Sequence, residues 1–118
     1  MKIIETSRDF SPVELYTLTK NPKSEKLREH VGEVLEVTGF CIYEDNNSDE
    51  TSRTVLTLER TEGEPIGTNS DTARRSLKQI LEIYAASGID DPYPLPLVVY
   101  TAKSAKSGRE FVDLMLQH

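Results

Sequence analysis

The chain has 118 residues, of which 36% are hydrophobic and 29% are charged, and its formal net charge at pH 7 is -6. This length fits one domain with its own core, and no apolar run approaches the roughly 20 residues that a membrane-spanning helix requires. The N-terminus does not resemble a signal peptide, and a single cysteine with two histidines excludes an internal disulfide and a zinc cluster. We therefore expect one cytoplasmic domain without a cofactor.

Residues 1–30 are predicted to form an N-terminal helical arm, with a short strand at Ile3 and Ile4. Ser11, Pro12 and Glu14 have the spacing of a capping box with proline in the first helical turn. The apolar side of this helix is expected to consist of Val13, Leu15, Tyr16 and Leu18. Asn21-Pro22 should end the helix, and Ser24 is a candidate cap for a short turn that runs to His30.

A long strand is predicted over residues 31–43. Leu35 and Val37 share one face, whereas Phe40 and Ile42 have the opposite parity, so the alternation slips by one residue at Gly39. A glycine at such a slip is typical of a β-bulge, which bends a strand so that a small barrel can close. The polar tract 44–52 is then expected to be a hairpin loop.

The remaining elements complete a domain at 31–118. Strands are predicted at 53–60 and 65–68, and Asn69 or Ser70 should cap an amphipathic helix that stops at Ser87-Gly88. The apolar stripe of this helix consists of Ala73, Leu77, Ile80, Leu81 and Tyr84. A proline-rich connector at 91–96 leads to strands at 97–101 and 109–116.

The fold class that follows is mainly β with minor α. The order β-β-β-α-β-β, with a long kinked first strand, is that of the OB-fold, a five-stranded barrel that binds oligonucleotides. We therefore predict an OB-fold-like barrel with an N-terminal helical extension. An open sheet with a helix on one side shares most of this order and stays open as an alternative.

The strongest local charge signal is the turn between the last two strands. Lys103, Lys106 and Arg109 stand there without an acid between them, in a chain that is acidic as a whole. Such a loop borders the binding face of an OB-fold, so these residues are candidate phosphate ligands. The alternative is an ordinary solubilising turn.

Further candidates flank this turn. Arg53 faces outward on the second strand and is a candidate phosphate ligand. The alternative is that Arg53 and Arg60 form surface ion pairs with Glu44, Glu59 or Glu62. Tyr43, Tyr100 and Phe111 are candidate stacking platforms, although buried aromatics are more common than stacking platforms and the core is the favoured interpretation for Phe111. Tyr93, between prolines, could stack or form a packed hinge.

The other charged residues predict no chemistry. Arg74, Arg75 and Lys78 lie on the helix side away from its apolar stripe, which is typical of a solvated face or a contact for an acidic partner. Loop acids without a nearby histidine or a glycine-rich phosphate loop do not predict catalysis. We expect a protein that is not an enzyme and that holds no metal.

Four segments resemble the small single-stranded DNA-binding proteins of phages and prophages of Gram-positive bacteria. They are Glu14-Leu-Tyr-Thr-Leu-Thr-Lys20, Tyr43-Glu-Asp45, Gly67-Thr-Asn-Ser70 and Lys106-Ser-Gly-Arg-Glu-Phe111. The resemblance implies an OB-like barrel and a role in phage DNA replication or recombination.

The functional expectation is binding of single-stranded DNA without strong sequence preference, with replication or recombination proteins as possible further partners. The net acidity favours an alternative from another class, a phage accessory protein that acts through protein-protein contacts. A homodimer formed through an exposed barrel edge is also left open.

Overall fold

The computed structural model describes residues 1–20, 25–46 and 52–117. The elements in chain order are β1 (Lys2–Thr6), α1 (Pro12–Thr19), β2 (Glu25–Lys26), a 3-10 helix (Leu27–His30), β3 (Val34–Asn46), β4 (Ser52–Arg60), β5 (Ile66–Thr68), α2 (Asp71–Ala86), β6 (Leu95–Lys103) and β7 (Glu110–Leu116). The predicted helix break at Asn21-Pro22, the cap at Ser24 and positions 47–51 of the predicted loop lie outside the described residues.

The strands form one curled sheet. Its path runs β2-β5-β4-β3-β6-β7, and β1 pairs with β3 beside this path. The long strand β3 pairs with β6 through its first residues and with β4 and β1 through later ones, so it serves both halves of the curl. The prediction of a mainly β, barrel-like chain is confirmed at this level, and the curl is a half-barrel because its two end strands, β2 and β7, do not pair in the described part of the chain.

The predicted bulge at Gly39 is confirmed. Val37 pairs with Arg60 and Gly39 with Glu59, so one residue of β3 is extra between them. A Cβ atom at Gly39 would lie 2.7 Å from Ser7 Oγ and 2.8 Å from Arg8 Nη1. The glycine therefore both bends β3 and lets the segment after β1 approach the sheet closely.

The main core lies inside the curl and is covered by α2. Ser70 is the N-cap of α2, since its Oγ accepts a hydrogen bond from Ala73 N at 3.1 Å. Ala73 and Leu77 are buried, and the other predicted stripe residues pack against the same core. Tyr93 also packs there, and burial raises the pKa of its phenol to about 12, which supports the packed alternative for this residue. No described helix is both long and apolar enough to cross a membrane.

In residues 1–20, β1 joins the sheet beside β3, and α1 packs on the outer face of the sheet. The capping box of α1 is confirmed, because Ser11 N donates to Glu14 Oε1 at 2.8 Å and Glu14 N donates to Ser11 Oγ at 3.2 Å. Leu18 is buried against Cys41 and Tyr43. Val13 and Tyr16 stay exposed, so the predicted apolar side of α1 is only partly used.

A bidentate ion pair also ties this N-terminal segment to the sheet. Arg8 Nη1 donates to Glu59 Oε1 at 2.7 Å, and Arg8 Nη2 donates to Glu59 Oε2 at 2.9 Å. Hydrogen bonding to Arg8 lowers the pKa of Glu59 despite partial burial. Together with β1, this pair holds the segment before α1 against β3 and β4.

Residues 25–30 include β2, which lies at the end of the sheet path opposite to β7. Leu27 belongs to the main core, and β2 pairs in parallel with β5. Glu25 Oε2 accepts hydrogen bonds from Arg60 at 2.7 Å and contacts His30 Nε2 at 2.9 Å. The chain before residue 31 thus contributes two strands and a core leucine, and it packs on the domain at both of its described stretches.

The burial of Cys41 gives a first prediction. Cys41 lies under α1 and burial raises the pKa of its thiol to about 11, so we expect the native protein to react with a thiol reagent far more slowly than the denatured protein. Leu18→Ala should accelerate the reaction, because it removes the side chain that packs on Cys41. The measurement is the rate of alkylation followed by mass spectrometry. Labelling of the native chain at the rate of the denatured chain would show that α1 does not cover this face.

Candidate functional site

A groove lies where the curl stays open. Its volume is about 920 Å³, and four parts of the chain line it: β2 with the start of the 3-10 helix, the outer faces of β3 and β4, the connection from β5 to α2, and the first residues of β7. Because the two end strands of the path, β2 beside β5 and β7 beside β6, do not pair with each other in the described chain, room is left between them. An extended ligand can therefore contact the outer sheet face and the two end strands at the same time.

Two side-chain contacts cross this groove. Ser70 Oγ donates to the carbonyl oxygen of Val112 at 2.8 Å, which fixes the start of α2 against β7. Arg28 Nη1 lies 3.5 Å from Glu110 Oε1, between the 3-10 helix and β7. These two side-chain contacts connect the sides of the groove and set its width. In the described part of the chain, main-chain pairing does not close it.

The charge of the lining is mixed. Its cations are Lys26, Arg28 and Arg53, and its acids are Glu25, Asp45, Asp71 and Glu110. Most of these acids are already engaged: Glu25 with Arg60, Asp71 with Arg74, and Glu110 with Arg28. Lys26 and Arg53 form no ion pair with any described residue, although Arg53 lies opposite Asp45 in the β3–β4 register.

The predicted basic turn is a hairpin between β6 and β7. Ser104 N donates to the carbonyl oxygen of Arg109 at 2.9 Å, and Gly108 has a φ of 69°, which glycine adopts without strain. Lys103, Lys106 and Arg109 are exposed and have no carboxylate partner among the described residues. They do not line the groove, but the chain passes directly from Arg109 to the groove residues Glu110 and Phe111.

The other predicted residues separate into two groups. Arg53 and Phe111 line the groove, and Phe111 is half-buried there. Tyr43 lies on the predicted outer face and borders the groove, yet it is only 5% exposed because α1 covers it, and this burial raises its pKa. Its ring is not open to a base in this conformation.

Tyr100 lies apart from the groove lining. Its hydroxyl donates to Asp113 Oδ2 at 2.8 Å, and this hydrogen bond together with burial raises the pKa of Tyr100. Asp113 in turn accepts from Ser76 Oγ at 2.6 Å, so the pair links β6, β7 and α2. Tyr100 therefore takes part in a hydrogen-bond network between these elements, and Phe111 is the partly exposed predicted aromatic residue that lines the groove.

The alternatives that the sequence left open for the cations are partly resolved. Glu59 pairs with Arg8, so it does not occupy Arg53. On α2, Arg74 pairs with Asp71 and Lys78 with Glu5, so two of the three cations on the helix side away from its apolar stripe have partners within the molecule.

Sequence reasoning missed Lys26 and Arg28. Both lie in the segment that is predicted to form an arm outside the barrel, and no local pattern distinguishes them from other surface cations. Only the pairing of β2 with β5 brings them to the groove. Within the described residues, no cluster of three histidine, cysteine, aspartate or glutamate side chains is arranged to hold a metal ion.

Comparisons of this chain with protein families, with curated proteins and with solved structures find no match. The resemblance drawn from the sequence therefore stays a prediction.

Proposed function

We propose that this protein binds single-stranded DNA without strong sequence preference, through the groove and the adjoining β6–β7 hairpin. The observation that carries the proposal is the position of cations without carboxylate partners. Five of the described ones lie in these two neighbouring places: Lys26, Arg53, Lys103, Lys106 and Arg109. By contrast, Arg8, Arg60, Arg74 and Lys78 are occupied by acids elsewhere.

The chemistry of these residues fits a flexible polyanion. Unpaired lysine and arginine side chains can each take a phosphate without first losing an ion pair, and they release counterions from the nucleic acid when they do so. Phe111 offers a ring face in the groove, and base stacking on such a ring contributes about 1–3 kcal/mol per base whatever the base is. Acids in the groove and the net charge of -6 oppose binding, so we expect affinity to be modest and strongly dependent on salt.

The arrangement of the sheet supports the same proposal. From Val34 onward the chain has three strands, a helix and two strands, on a curled sheet whose long first strand is bent at Gly39. We infer an OB-like barrel that is open between β2, which borders its third strand (here β5), and its fifth strand (here β7). OB-folds bind oligonucleotides on their outer sheet face and loops. A role in phage DNA replication or recombination, with proteins of those processes as partners, is part of this proposal.

A protein-interaction role is the second candidate. A row of apolar side chains crosses three strands on the outer face, because Val34 lies opposite Val98 and Val98 lies opposite Met115. Val34 and Met115 are exposed. Together with the acidic surface, this row favours a docking contact that needs no DNA.

Titration of the full chain with fluorescent oligothymidine tests the first proposal. We expect anisotropy to rise on binding, and log K to fall with log salt with a slope of about -3 to -4, since about five phosphate contacts contribute about 0.7 each. A duplex of the same length serves as the control and should bind more weakly. No change in anisotropy at the lowest salt, or binding that salt does not weaken, would rule out this function and leave the protein-interaction role.

A further inference from the structure

The ion pair between Arg28 and Glu110 lies across the opening of the groove. Arg28 belongs to the 3-10 helix and Glu110 begins β7, so the pair joins segments that are 82 residues apart in sequence and lie at opposite ends of the sheet path. The side chains are 57% and 52% exposed. Solvent reaches both groups, and a pair of this kind is readily exchanged for another partner.

Glu110 stands among cations on both sides. Arg28 approaches it across the groove at 3.5 Å, and Lys103 lies opposite it in the β6–β7 register. Its carboxylate is also part of the groove lining. A carboxylate in this position has the charge and the acceptor oxygens that a phosphate would present to the same arginine.

We propose that Glu110 is an internal competitor of the nucleic acid for Arg28. In the free protein its carboxylate occupies the guanidinium, and in the complex a phosphate of the strand takes its place, so Arg28 becomes a phosphate ligand. This inference rests on the proposed function. It assigns to Arg28 a binding role and to Glu110 the role of limiting affinity in the absence of a polyanion.

A double-mutant cycle tests this exchange. Oligothymidine affinity is measured at low salt for the full-length wild type, Glu110→Gln, Arg28→Gln and the double variant. We expect Glu110→Gln to tighten binding about three- to fivefold, the range that release of an exposed ion pair allows. In the Arg28→Gln background, Glu110→Gln should increase the affinity by less than about half of that factor, because there is no guanidinium left to release.

Asp45→Asn is the matched control. Asp45 is an acid of the same groove that forms no ion pair with a described residue, so its neutralisation should give an equal gain with and without Arg28. Equal gains for Glu110→Gln in both backgrounds would overturn the inference, because they indicate a general charge effect, and no gain would overturn it too. If the wild type fails to bind at all, the proposed function fails and the inference with it, whereas binding with an additive cycle removes only the inference.

Discussion

Reversing the charge of Lys103, Lys106 and Arg109 to glutamate should weaken oligothymidine binding about 100-fold at low salt. The three side chains are exposed and have no carboxylate partner among the described residues, so in the proposed complex each is available to a phosphate. Their loss should also reduce the steepness of the salt dependence by about 2, since single strands contribute about 0.7 per phosphate contact. Anisotropy titrations at several salt concentrations give both quantities.

The control for this experiment is a matched pair of reversals. Lys106→Glu with Arg109→Glu changes the charge by the same amount as Lys2→Glu with Arg75→Glu, and Lys2 and Arg75 lie outside the groove lining without an ion pair to a described residue. If the hairpin contacts the strand, the first pair should weaken binding by at least about tenfold more than the second. Equal losses would mean that only net charge matters, and the hairpin would then be a solubilising turn.

Leu77→Ala should destabilise the protein by about 3 kcal/mol. Leu77 is fully buried and attaches α2 to the core inside the curl, so the truncation leaves a cavity that the half-barrel cannot fill by small movements. The midpoint of thermal unfolding, measured by circular dichroism, should fall by about 10 °C or more for a domain of this size.

Ile83→Ala is the control on the same helix. Ile83 is 59% exposed, and its truncation should change the free energy of unfolding by less than about 0.5 kcal/mol. A large loss at Ile83 together with a small one at Leu77 would mean that α2 presents its other face to the sheet. The predicted amphipathic stripe would then be wrong.

Several features of the fold follow from residues close together in the chain. The capping box at Ser11 and Glu14, the slip of alternation at Gly39 and the stripe of α2 are all present as predicted. Each depends on spacings of one to four residues, which fix local backbone geometry. The same holds for the hairpin that carries Lys106 and Gly108.

The position of the aromatic candidates depends on contacts that spacing does not specify. Parity places Tyr43 on the outer face of β3, and it does lie there, yet only the packing of Leu18 on that face buries it. Tyr100 has the parity of an outer residue as well, but the carboxylate of Asp113 holds its hydroxyl. Alternation predicts which face a side chain occupies, and it does not predict what else packs on that face.

By itself, the sequence determined the β-rich character, the order of the elements after residue 31 and the location of a basic turn, because these properties depend on hydrophobic periodicity and local charge. Only the tertiary structure decided that Arg28 and Glu110 meet across a groove, and that Lys26 and Arg53 border the same opening. Those encounters depend on how far the sheet curls and on which ends it brings together. The curl results from the twist, the bulge and the packing of many strands together. The curvature of the sheet therefore cannot be predicted from any short segment of the chain.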